Sequence, residues 1–194
     1  MFVQIIRAKA ADPEGIERIW EENRDRDAAG FLGATGGITT KGEFVLAARF
    51  ENRTLAMKNS NSPEQTAMWQ AMEKCLAGPA EFVESEDVET LMPGSDQAGF
   101  VQMMRATVKD RARYEKIDRE FGDRMAELRP DVIGHMNVWL PDGRIHIVDW
   151  FTSESEARAA EKKEMPADVK KSFDEWMSLC SNVEWFDIPK PLLG

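Results

Sequence analysis

The run His135-Met136-Asn137-Val138-Trp139 alternates side chains that can do chemistry with plain apolar ones, and Asp149 follows in the next extended run. A histidine beside a carboxylate is a proton-transfer pair. The carboxylate fixes the imidazole tautomer and raises its basicity, leaving the second ring nitrogen to take a proton from a phenol or an acidic C–H. An amide such as Asn137 can hold an oxyanion or an oxygen adduct by hydrogen bonds. An indole offers an aromatic ligand a flat wall. The same side chains also suit a buried His–Asp pair that satisfies itself, with Trp139 as core. His-x-Asn-x-Trp is no diagnostic motif, so both readings stand at this level.

Whether these groups meet depends on strand register. If Leu140 and Arg144 close a hairpin over Pro141-Asp142-Gly143, Trp139 faces Ile145, Asn137 faces Ile147 and His135 faces Asp149. Alternation then puts them on one face together with Ile133 and Phe151, and a slip of one residue would send them all to the other. The expected catalytic set is His135 as base, Asp149 as its orienter and Asn137 as hydrogen-bond donor. Trp139, Phe151 and Trp176 would wall the ligand. Arg105 could anchor a ligand carboxylate or phenolate, although an arginine at that place, matched by Arg7, also suits an inter-unit ion pair.

The elements that must position this set are written twice. Phe2–Ala8 reads FVQIIRA and Phe100–Ala106 reads FVQMMRA. Asp12-Pro13 starts a helix after the first strand, with Asp12 able to cap it and Pro13 suited to its first position, and Asp110 stands at the matching place. Ile16, Ile19 and Trp20 recur at helical spacing, as do Tyr114, Ile117 and Phe121. Gly33 and Gly42 are answered by Gly134 and Gly143, and Phe50 by Phe151. Asn52 opens a helical turn, Ser62 and Gln65 form a capping box, Pro166 matches Pro63, and Glu81–Thr90 reads as a last strand. The order is βαββαβ, the ferredoxin-like unit, and the repetition makes two of them. The expected fold is α+β, with units at 1–91 and 100–194 joined by a polar linker at 92–99. A sheet with both helices on one face leaves the other bare. The two sheets are therefore expected to pack together as a single-chain pseudo-dimeric α/β barrel, monomeric or weakly dimeric as a whole. In the first half the positions matching the chemical face are Ala34, Gly36, Ile38, Phe44, Leu46, Ala48 and Phe50, all small or apolar.

Composition narrows the function. Acids outnumber Lys and Arg 35 to 25, for a formal charge of −10, and no basic cluster offers itself to a phosphate backbone, so nucleic acid is an unsuited partner. No apolar run approaches the ~20 residues of a membrane span, and no secretory leader is apparent. Cys75 and Cys180 have no metal or redox spacing and read as reduced thiols of a cytoplasmic protein. His135 and His146 fall on opposite hairpin faces, which makes a poor metal site. No Gly-rich phosphate loop runs from a strand into a helix.

Phe50-Glu51-Asn52-Arg53-Thr54-Leu55-Ala56 with Asn61-Ser62-Pro63-Glu64 and Trp69 resembles a run of the antibiotic biosynthesis monooxygenase-like family, and Trp150-Phe151-Thr152-Ser153-Glu154-Ser155-Glu156-Ala157 resembles it again. The resemblance implies the dimeric α/β barrel in tandem copies and a small aromatic or polyketide-like ligand between sheet and helices. The activity it implies is oxygenation without metal or other cofactor. Haem-degrading members carry an asparagine on the first strand and a histidine on the second helix. This chain has neither in either half, so haem cleavage is disfavoured. The alternatives are a non-catalytic binding or accessory protein, and an isomerase or lyase on the same scaffold.

Overall fold

The computed structural model describes residues 1–194 except the side chains of Asp123, Met125 and Ala126. In chain order the elements are β1 (Phe2–Lys9), α1 (Pro13–Asn23), β2 (Phe31–Ile38), β3 (Glu43–Phe50), α2 (Arg53–Ser60), α3 (Pro63–Glu73), β4 (Glu81–Ser85) and β5 (Val88–Met92). There follow β6 (Phe100–Val108), α4 (Arg111–Leu128), β7 (Val132–Trp139), β8 (Arg144–Phe151), α5 (Glu154–Glu161), α6 (Ala167–Leu179), β9 (Cys180–Ile188) and β10 (Leu192–Leu193). Among the described residues no helix is long and apolar enough to cross a membrane.

One sheet has the order β10-β2-β3-β1-β4 and the other β5-β7-β8-β6-β9. Without β10 and β5, each is the four-stranded ferredoxin-like sheet, in matching order. The chain is therefore an α+β protein of two ferredoxin-like units in tandem. Local chemistry sets the helix starts as expected. Asp12 accepts from the Gly15 N–H at 2.9 Å, Asn52 from Leu55 at 3.0 Å and Ser62 from Gln65 at 3.1 Å, each relieving an orphan donor of a first turn. The Ser62 box closes on one side only, because the Gln65 carbonyl accepts from Arg26 instead.

Two departures from the sequence reading concern the fifth strands. The expected last strand Glu81–Thr90 is two strands in different sheets. Ser85 Oγ takes the Asp87 N–H at 3.0 Å in the turn between them, and β4 joins β1 while β5 joins β7. The compact units are Met1–Val88 with Phe186–Gly194, and Glu89–Trp185, so they differ from 1–91 and 100–194 by the stretch before β6 and by the chain's tail. Glycines on β2 receive that tail. Leu192 lies opposite Gly36 and Leu193 opposite Thr35. Gly33 has φ +125°, and a Cβ there would lie 2.5 Å from the Gly194 carbonyl oxygen. On β7, a Cβ at Gly134 would meet Gly94 at 2.6 Å and the Trp150 indole at 2.9 Å.

Both units also carry a bulge at the same place in their hairpins. Register shifts between Phe31 and Gly33 and again between Val132 and Gly134. Val132, and not the expected Ile133, consequently stands opposite Phe151. A bulge turns its extra side chain out of the alternation, and its recurrence supports duplication as the origin of the two units.

Gly33→Ala should lower the thermal midpoint by several degrees, since left-handed strain of ~1–2 kcal/mol adds to a backbone collision. Gly42, at φ +77° with open space around its Cβ position, carries the strain alone. Gly42→Ala should therefore cost less, and equal losses for the two variants would show that β10 does not depend on Gly33.

Candidate functional site

The second unit's core on the helix side of its sheet is built from Met104, Ala106, Tyr114, Trp139, Ile145 and Ile147, with Trp176 packed against it. α4 contributes Tyr114, Ile117 and Asp118, spaced to share one buried face. The Tyr114 ring stands edge-on to Trp139 at 5.3 Å and lies tilted against Trp176 at 5.2 Å. Trp176 stacks on Phe173 at 6.0 Å. An aromatic wall thus runs from β7 across α4 to α6.

The β7–β8 register is the expected one: His135 pairs with Asp149, Asn137 with Ile147 and Trp139 with Ile145. His135 Nδ1 lies 2.6 Å from Asp149 Oδ1. The second ring nitrogen is not left open, because Nε2 faces Asp118 Oδ2 at 3.4 Å. Asn137, fully buried, donates through Nδ2 to the same Asp118 oxygen at 2.6 Å. A carboxylate can only accept, so this contact assigns the amide orientation and leaves Asn137 Oδ1 as an acceptor. The set is graded in depth. Side chains of His135 and Asp149 remain 17% and 20% exposed, whereas that of Asp118 is 8% exposed.

Electrostatics follow from this geometry. Burial opposes a charge on His135, but the Asp149 carboxylate and then Asp118 outweigh it and raise the imidazole to about 10. Burial pushes the Tyr114 phenol well above its ordinary range, with Asp118 adding to the effect. The Cys180 thiol is pushed up to about 11 by burial and by Asp118. At neutral pH the ring keeps its proton, hydrogen-bonded through Nδ1 to Asp149 and facing Asp118 through Nε2 at 3.4 Å without hydrogen-bond geometry. This corrects the expectation for His135. A ring already protonated between two carboxylates has no free lone pair with which to take a proton. Asn137 is altered in the same way, its N–H group being used on Asp118.

The remaining expected site residues divide. Trp139 and Trp176 join the wall. Phe151 shares their side of the sheet but packs with Phe100, Val132 and Ala157 in a separate cluster beneath α5. Arg105 follows Met104, which belongs to the helix-side core, and therefore lies on the opposite face, 2.9 Å from Glu184. That ion pair lies within the second unit, and Arg7 makes its counterpart with Glu43 at 2.8 Å within the first. Arg105 is thus no anchor on this face. Among the described residues no cluster of three or more His, Cys, Asp or Glu is arranged to hold a metal.

Asp118 is the group that sequence reasoning missed. Its signal was an acid four positions after Tyr114 on a face otherwise read as apolar. In the first unit the residue at the repeat's spacing is Trp20, buried in one core with Ala34, Phe44 and Leu46. There a large indole from the helix shares an apolar core with the strands. In the second unit a small carboxylate on the helix faces large polar strand residues.

No family model and no curated protein matches the chain. Solved structures do. A "putative monooxygenase" of Lactobacillus acidophilus NCFM aligns with a TM-score of 0.73 at 14% identity, covering 96% of this chain and 91% of its own. A "putative monooxygenase" of Fusobacterium nucleatum aligns with a TM-score of 0.75 at 6% identity, covering 98% and 92%. An anthrone oxidase-like protein aligns with a TM-score of 0.65 at 10% identity, covering 96% and 89%. At these identities the likeness shows that the chain shares its fold with these structures over nearly its whole length.

The charged ring makes stability depend on pH in a defined direction. Folding raises His135 from 6.5 to about 10, so its stabilisation is complete below about pH 6.5, declines above it and is gone once pH has passed about 10. The difference in thermal midpoint between the natural protein and His135→Gln should therefore be largest near pH 6 and shrink as pH approaches 10.5. A constant difference would contradict the ion-pair account.

Proposed function

We propose that the second unit binds a small aromatic, polyketide-like compound and oxygenates it without a cofactor. One observation carries this reading. A set of acid, base and amide groups lies beside a wall of Trp139, Tyr114 and Trp176 in the second unit only, on a scaffold shared with monooxygenase-like proteins. Asp149, the more exposed carboxylate, takes the proton from a phenol or an anthrone-type CH₂. The His135 imidazolium stabilises the resulting anion, and Asp118 with Asn137 holds the ring in place.

The anion then supplies the electrons. It gives one to dioxygen, the substrate radical and superoxide combine to a peroxide anion at carbon, and this takes the proton back from Asp149 as the hydroperoxide. Loss of water leaves a carbonyl. The balance is one CH₂ and one O₂ to one C=O and one H₂O, so no external reductant is required.

Dioxygen uptake with anthrone or a quinol tests this. The natural protein should consume one O₂ per substrate, and Asp149→Asn should lower kcat about 100-fold or more, as removal of a general base does. Wild-type turnover by Asp149→Asn would remove that carboxylate from the chemistry. A second reading is a binding protein that holds its ligand unreacted. The placement of His135 between two carboxylates favours it, and a retained ligand in native mass spectrometry without dioxygen uptake would select it.

A further inference from the structure

The loop between β7 and β8 closes the hairpin that pairs His135 with Asp149, and it holds the chain's one Asp-Gly pair, Asp142-Gly143. An aspartate before a glycine has covalent chemistry of its own. The glycine nitrogen can attack the aspartate side-chain carboxyl carbon and close a five-membered succinimide, with loss of water. Glycine favours this because it brings no side chain to the attacking end and leaves the backbone free to turn. Water then reopens the ring at either carbonyl. One opening restores aspartate. The other leaves isoaspartate, in which the backbone runs through the former side chain and is longer by one carbon. The water lost is regained, and no oxidant or reductant takes part.

The folded turn holds both reacting groups off that path. The Gly143 N–H donates to the Leu140 carbonyl at 3.1 Å, and the Leu140 N–H donates across the loop to the Arg144 carbonyl at 2.9 Å. Gly143 has φ +80°, the left-handed place that a three-residue hairpin loop requires. The Asp142 carboxylate is taken up by Arg144. Its Oδ1 accepts from the Arg144 backbone N–H at 3.2 Å and its Oδ2 from Arg144 Nε at 2.7 Å. The Arg144 backbone bond, and then its side chain, keep the carboxyl below its ordinary range, and an ionised carboxylate is a poor target for a nitrogen nucleophile. Both side chains remain open to water, at 55% and 39% exposed, so the water that reopens a succinimide is at hand. In the first unit the matching loop is Thr40-Lys41-Gly42. Lys41 has no carboxyl to cyclise, so the hazard belongs to the hairpin with the chemical face alone.

We propose that Asp142 is a site of spontaneous isoaspartate formation which Arg144 holds in check, and that its conversion slackens the hairpin aligning His135 with Asp149. The added carbon lies inside the loop. It lengthens the path from Leu140 to Arg144, so the two hydrogen bonds that close the turn no longer form together. The strand pairing beyond them loses its anchor.

Long incubation of the full chain at pH 7.5 tests this, with isoaspartate counted in two ways. One is methyl transfer by an isoaspartyl methyltransferase, and the other is resistance to a protease that cuts before aspartate only. Isoaspartate should collect at Asp142, and Arg144→Gln should collect it about fivefold faster, the factor that loss of one hydrogen bond's net contribution allows. Should Arg144→Gln fail to fold, Arg144→Lys keeps a cation beside the carboxylate and should show a smaller increase. Asp142→Glu, whose ring would need six members, should collect none and keep its thermal midpoint through the incubation. Chains converted at Asp142 should melt below unconverted ones. Equal rates in the natural protein and the folded Arg144 variants would overturn the proposal. So would converted chains that melt at the original midpoint, or isoaspartate that gathers elsewhere and spares Asp142.

Discussion

Two carboxylates come together beneath α4 because a cation stands between them. Asp118 is almost fully enclosed, Asp149 partly so, and the His135 ring bridges them at 2.6 and 3.4 Å. Moving an anion out of water is expensive, and a buried ion pair holds only when its geometry is good and its remaining hydrogen bonds are met. Asn137 supplies one of those bonds. Were the ring neutral, one of the two carboxylates would face an acceptor nitrogen instead of a donor. The orientation of the Asn137 amide follows from the Asp118 carboxylate, and burial, with Asp118 adding to it, raises the Tyr114 phenol.

The two units show how one scaffold can be filled in two ways. Helix and strand residues exchange bulk between the copies. Trp20 shares one core with Ala34 and Ala48 in the first unit, where Asp118 meets His135 and Asn137 in the second. The first filling gains from burying a large apolar side chain, about 25 cal/mol per Å² removed from water. The second gives up much of that gain and holds charge and unmet hydrogen-bonding groups in its place. The buried carboxylate, imidazole and amide thus stand in the second unit where the first holds Trp20, Ala34 and Ala48.

Much of this was legible in the sequence because duplication states the register twice. FVQIIRA and FVQMMRA located the first strands. The Pro141-Asp142-Gly143 loop fixed the hairpin count, so His135, Asn137 and Trp139 were correctly paired with Asp149, Ile147 and Ile145. Ile133 was misplaced because a bulge has no marker in an alternating pattern beyond the glycine that follows it. Asp118 was missed for a different reason. Helical periodicity sorts residues by polarity, and it assigns an acid on a core face to solvent unless its partner is known. That partner lies on β7, brought near only by the tertiary fold. The fifth strands were hidden likewise, since Leu192-Leu193 is too short to read as a strand until Gly33 and Gly37 give it an edge to lie on.

The central claim is that His135 is charged at neutral pH between Asp149 and Asp118. Nitrogen-15 NMR of the imidazole rings measures this directly, and with only two histidines in the chain the His146→Gln variant makes the assignment. At pH 7.5 both ring nitrogens of His135 should show the signature of protonated nitrogens. A neutral tautomer at that pH, with one nitrogen bare, would contradict the account.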